Sequence, residues 1–228
     1  LAITSPLGGE VFSGGSTRAI GFQVSDPNDP TGNLRVWFNY SVDGGVTWSD
    51  IVGAQGVPPG GVPPWTLPLI DSSNVILRGE VSDPGGLRDQ DTAAAFAIDA
   101  TAPTIASTSP ERDAVDISVA ATVVITFSEA MERTTVEGAI SFESSSGLVA
   151  YNAAWTGNAI FLDPGADLAP NVRYWVNVSS AARDRSDPGN TLSGAPYSLS
   201  FVTALGGDTT PPVADAGGPY QATVRVPI

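Results

Sequence analysis

Short runs rich in Val, Ile, Thr and aromatic residues, each cut off after a few positions by Gly, Pro, Asn or Asp, constrain this chain most. With 25 Gly and 19 Pro spread through 228 residues, no stretch is left for a long helix, because both residues are costly inside one. Runs of this composition, parted by turn clusters at strand-and-turn intervals, predict an all-β fold. The length allows two domains, each large enough to bury its own core. Seven or so strands in about a hundred residues imply a sandwich, so the expectation is two tandem β-sandwiches.

The first module is read over residues 1–100 and the second over 101–204, leaving 205–228 as a linker and a further strand. Strands are expected in module one at 17–24, 34–42, 47–52, 65–69, 75–81 and 93–98. Module two should hold strands at 121–127, 139–142, 148–151, 159–162, 174–178 and 197–202, with one helical turn within 129–136. The joint Asp99-Ala100-Thr101-Ala102-Pro103 is short and extended, and 206–212 contains a double Pro. Such linkers favour a semi-rigid string over freely jointed beads. No internal repeat makes the modules copies of each other.

Cys, His and Lys are absent altogether. That removes disulfides, thiolate chemistry, the commonest general base and Schiff-base chemistry. The chain is therefore expected not to be an enzyme. Its net charge is −14, and all ten basic residues are Arg. This repels nucleic acid and anionic membranes while suiting hard cations. No apolar run approaches membrane-spanning length and no signal peptide is visible, so direct insertion into a membrane is not expected.

Several constellations are candidates for function. In a sandwich, the loop after the second strand and the loop before the last lie at one end. That would gather Asp26, Asp29, Asp83, Asp89 and Asp91 of module one, with Glu129, Asp184 and Asp187 as a thinner set in module two. Calcium takes six to eight oxygens from such loops, although the same residue types also serve plain turn chemistry. The pattern Ser41-x-Asp43-x-Gly45-x-Thr47-Trp48 is similar to the Asp box of sialidase propellers, a structural hairpin. One copy argues against a propeller. Abundant carboxylates also raise glycoside hydrolysis, but nothing marks out a pair. Trp37, Trp48, Trp65, Trp155 and Trp175 offer either core filling or a sugar platform. Asn39 and Asn177 head glycosylation sequons within expected strands.

Certain residues carry a family resemblance. Ile3-Thr4-Ser5-Pro6 and Tyr40–Trp48 resemble fibronectin-III-like and Ig-like modules of bacterial and archaeal surface proteins. Pro103-Thr104-Ile105, Ile125–Met131, Leu168–Tyr174, Asp184 with Gly189-Asn190, and Ser200–Thr203 are similar to SbsD-like, Big-5 type Ig-like domains. The stretch Arg185–Pro188 departs from that pattern as an insertion. Pro212–Tyr220 resembles the opening of a PKD-like domain. The resemblance implies a secreted or cell-surface structural protein: a stalk, surface layer, filament or adhesion component. Its implied partners are copies of itself or other surface proteins, through strand addition by Ala222, Thr223, Val224, Arg225 and Val226. The alternative is an adhesin or carbohydrate-binding accessory module with glycan partners. Calcium is the one cofactor to consider.

Overall fold

The first core forms where alternating strands bring one face of apolar side chains together. The computed structural model describes residues 1–206, and its elements are β-strands apart from one α-helix and two short 3-10 turns. Module one contains β1 (Ala2–Ser5), β2 (Val11–Ser13), β3 (Thr17–Arg18), β4 (Gly21–Gln23) and β5 (Arg35–Ser41). It continues with β6 (Ser49–Val57), β7 (Trp65–Thr66), β8 (Ser72–Ser82), β9 (Arg88–Thr92) and β10 (Phe96–Asp99). One layer runs β2-β10-β8-β5-β6 with β9 also on β8, and facing it are the pairs β1-β4 and β3-β7. Val36 and Phe38 on β5 and Val75, Leu77 and Val81 on β8 point inward with Ile98 and Trp65. Trp37, Asn39, Arg78 and Glu80 take the alternate positions and face out.

Module two contains β11 (Ile105–Ser109), β12 (Ala114–Ile117), β13 (Val123–Phe127), α1 (Arg133–Ala139) and β14 (Ile140–Ser144). After these come β15 (Gly147–Leu148), β16 (Tyr151–Thr156), β17 (Ala159–Pro164), β18 (Arg173–Val178) and β19 (Tyr197–Thr203). Its two sheets run β11-β13-β17-β16 and β12-β19-β18-β14-β15. Val123, Ile125 and Phe127 from one sheet meet Phe142, Val176, Leu199 and Phe201 from the other. The two modules thus have separate cores.

Several expectations are corrected. The stretch 17–24 is two strands, not one, because Ala19-Ile20 breaks the ladder. The Asp-rich stretch 83–91 is not all loop: Arg88–Thr92 is strand β9, paired to β8 from Arg78↔Thr92 to Ser82↔Arg88. Its side chains are polar because they lie on the solvated side, so only the backbone ladder defines it. The helical turn comes later than expected, at Arg133–Ala139. Strands β1, β2, β11 and β12 were not anticipated; each is short and mostly polar or exposed. The strand expected over Ala222–Val226 lies outside the described residues.

Candidate functional site

The junction between the modules has the densest polar geometry, and it is built by one loop segment of module two. There the segment Asp184–Asn190 folds back over the end of module one. Phe12 forms a parallel bridge with Asp187. Ser13 N donates to Asp187 O at 2.8 Å, and Asp187 N to Val11 O at 2.9 Å. The hydroxyls of Ser13 and Ser186 lie 2.8 Å apart, and Gly189 N donates to Ser13 Oγ at 3.0 Å. Ser13 and Ser186 are both buried. Asn190 Nδ2 donates to the carbonyls of Asp99 (3.0 Å) and Thr101 (3.1 Å), binding the linker itself. Arg18 Nη1 pairs with Asp187 Oδ2 at 2.8 Å while its guanidinium covers the Phe12 ring. A cleft of about 400 Å³ beside this contact is lined by Phe12, Arg18, Trp65, Phe96 and Asp187.

Three carboxylates meet at the same joint. Asp99 ends β10 of module one, Glu129 follows β13, and Asp184 opens the crossing segment. One oxygen from each lies within 4.8 Å of the others. Asp184 is only 2% exposed. Its Oδ1 accepts from Ser186 N, Ser186 Oγ and Asn190 N, and its Oδ2 from Asn190 Nδ2, which fixes the carboxylate in place. Burial, with Asp99, Asp184 and Asp71 nearby, pushes the Glu129 carboxyl up to about 7. Burial also raises Asp99. The Oε1 atom of Glu129 is buried and has no hydrogen-bond partner.

Of the residues expected to bind metal in module two, Glu129 and Asp184 are brought together. Asp187 instead faces Arg18. Asp99 was missed, since its place in the linker carried no signal of what would pack on it. In module one, Asp26, Asp83 and Asp89 line one cleft of about 180 Å³. There Asp26 accepts from Asn28 N and Asp29 N, Asp83 from Leu87 N, and Asp91 from Ile3 N. The carboxylates of Asp29 and Asp91 do not line that cleft.

The Asp43 hairpin is closed by its own side chains. Asp43 Oδ1 accepts from Val46 N and Thr47 N, its Oδ2 from Thr47 Oγ1 at 2.6 Å, and Ser41 Oγ from Gly45 N. Trp48 Nε1 donates to Gly45 O. These bonds hold the Asp43 carboxyl at about 2, with the Thr47 hydroxyl the largest cause. Trp37 and Trp48 share the outer face, but Arg88 lies over the first ring and Arg78 over the second, at 5.3 and 4.0 Å. Gly56 abuts the indole of Trp37. Trp65 is buried. Asn39 Nδ2 is engaged by Asp50, and Asn177 Nδ2 by Ser141 and Glu143, so both sequon amides are hydrogen-bonded within their sheets.

The paired β-sheets define an Ig-like architecture, and comparison with known families agrees. Residues 99–203 match the family described as "Bacterial Ig-like domain". That stretch coincides with module two. No curated protein matches the chain. Among solved structures, L,D-transpeptidase 1 of Mycobacterium tuberculosis is 25% identical, with a TM-score of 0.33 over 45% of this chain and 39% of that one. CopC from Methylosinus trichosporium OB3b is 20% identical, with a TM-score of 0.37 over 47% of this chain and 99% of that one. The N-terminal part of the bacterial S-layer protein SbsC is 15% identical, with a TM-score of 0.32 over 46% and 24%. This chain thus spans well under half of the transpeptidase it resembles. Among the described residues no helix is long and apolar enough to cross a membrane.

Proposed function

We propose that this chain is a non-catalytic spacer of a secreted or cell-surface protein, in which two Ig-like sandwiches are held as one unit. The observation that carries this reading is the crossing of Asp184–Asn190 onto Val11–Ser13 and the linker, with backbone bonds in both directions. Modules joined by a linker alone would swing; a backbone bridge, buried hydroxyl contacts and a ligated linker resist it. The bacterial Ig-like family of module two and the acidic surface support an extracellular setting. Copies of the chain or other surface proteins are the partners this reading favours. The missing His, Cys and Lys support the absence of catalysis. In module one the glycan-binding alternative is weakened by the arginines that cover Trp37 and Trp48.

NMR relaxation of the full chain tests the proposal. Both modules should tumble with one common correlation time. Ser13→Glu, which forces bulk and charge into the buried contact, should split them into two shorter ones. Independent tumbling in the unsubstituted chain would overturn the reading.

A further inference from the structure

A sheet ends in a strand whose outer N–H and C=O groups have no ladder partner, and natural edges are guarded against pairing with other chains. Among the described residues, the edge strands of more than four residues are β6, β9, β11 and β16. Three of them are guarded. The pairing of β6 to β5 and of β11 to β13 is broken by register shifts, and β9 carries Arg88, Asp89 and Asp91. Strand β16 has no such device. It pairs with β17 without irregularity from Tyr151↔Pro164 to Thr156↔Ala159, and none of Tyr151–Thr156 is charged or Pro. Asn152, Ala153, Ala154 and Thr156 are exposed. Leu148, on the edge strand β15 of the facing sheet and joined to β16 by Val149-Ala150, is 81% exposed on the same flank.

The turn Gly157-Asn158 fixes which backbone groups of β16 face out. Two-residue hairpins close on a hydrogen-bonded pair, here Thr156 with Ala159, and bonded pairs then alternate along the ladder. Asn152, Ala154 and Thr156 therefore bond to β17, while Tyr151, Ala153 and Trp155 turn their N–H and C=O groups to the free side. Pro164, which has no N–H, accordingly sits opposite Tyr151. We propose that this edge pairs with the same edge of a second copy, antiparallel about a two-fold axis at Ala153. Ala153 then meets the partner's Ala153, Tyr151 meets the partner's Trp155, and about six backbone bonds join the two sheets into one. This register keeps the core-facing sides of both sheets together. A second copy is the fitting occupant because the strand is self-complementary about its own middle, and because copies of a chain with net charge −14 repel wherever acids meet. At this edge Glu137 is held by the Trp155 indole, and Asp163 lies one strand back. The contact is small, so the expected dissociation constant is roughly 10 μM to 1 mM, and neighbouring copies held close together would add to it. The pairing extends the spacer reading by saying how copies meet, and it does not use the joint.

Sedimentation equilibrium of the full chain from about 10 μM to about 1 mM tests this. The apparent mass should rise from one chain toward two. Ala153→Pro removes an N–H that faces outward and leaves the β17 ladder whole, so it should weaken association by about tenfold or more. Its circular dichroism should match that of the unsubstituted chain. Ala153→Glu and Ala153→Arg set like charges opposite each other at the axis, so each alone should associate far more weakly, and their mixture should dimerise again. No association at the highest concentration, undiminished association of Ala153→Pro, or no recovery in the mixture would overturn the pairing. Masses beyond two chains would do the same, since they mean a heterologous contact, such as Ala222–Val226 of a neighbour laid on β16. Failure here is separable from failure of the spacer reading. A monomer whose modules tumble together removes the pairing and keeps the joint, whereas independent tumbling removes the joint whatever the mass.

Discussion

Asp43 accepts four hydrogen bonds from within its own hairpin while remaining exposed to solvent. All four favour the ionised form, so its folded carboxyl titrates at about 2 against an ordinary 3.8. For an acid depressed in the folded state, the stabilisation is complete above the unfolded value and is lost as pH falls through the folded one. The melting temperature of the unsubstituted chain should therefore drop between pH 4 and pH 2 by more than that of Asp43→Asn, measured side by side. Tyr174 is a second residue with one decisive polar atom, its ring packing on Phe142 and Phe201 in the core. It is 4% exposed, and its Oη accepts from Ala169 N at 2.8 Å. Tyr174→Phe leaves that amide bare and should cost about 1–2 kcal/mol in denaturant unfolding of module two.

Among the elements, β8 and β5 show how closely the sheet of module one is fitted. Gly79 on β8 sits opposite Phe38 on β5, and a Cβ there would meet the Phe38 ring at 2.7 Å. Gly79→Ala should destabilise the first module by about 1–3 kcal/mol through overpacking, while module two melts unchanged in calorimetry. What could be read from the sequence follows this same distinction of faces. Strands with a regular inward set, such as β5 and β13, announce themselves by alternation or by an apolar run. Strand β9 does not, because Arg88, Asp89 and Gln90 gain nothing from burial and are held only by pairing to β8. The Asp43 hairpin was legible because its bonds are local. Half the junction was legible too: Glu129 and Asp184 stand out as acids in loops. Asp99 did not, since Glu129 and Asp184 arrive from distant parts of the chain and no local pattern encodes that meeting. The structure places Arg185–Pro188 in the segment that crosses to module one.

For the whole molecule, the two modules share a plan that their sequences conceal. In each, the first strand joins one sheet, the second crosses to the other, and that second strand pairs in parallel with the last: β2 with β10 and β12 with β19. The plan is repeated although the residues are not, because the core needs only inward apolar side chains of about the right size. Removing the charge contact at the joint with Arg18→Ala should barely alter melting, by about 1 kcal/mol or less, since a half-exposed pair contributes little. The same variant should widen the spread of inter-module distances in spin-label measurements, because it takes away a guanidinium that both pairs with Asp187 and covers Phe12.

The parallel pairing of early and late strands also decides how each module meets a pulling force. Tension along the chain drags β2 and β10 in opposite directions along their shared ladder, as it does β12 and β19. The hydrogen bonds are then loaded lengthwise and together, including Ala97 N to Glu10 O at 2.8 Å, and not peeled open one after another. In single-molecule stretching, each module should yield abruptly at a high rupture force. Val11→Pro should leave that peak intact, because in the parallel register Ala97 bonds to the residues flanking Val11 and the Val11 amide points away from β10, whereas Ala97→Pro, which deletes the bond to Glu10 O, should lower the peak for module one alone.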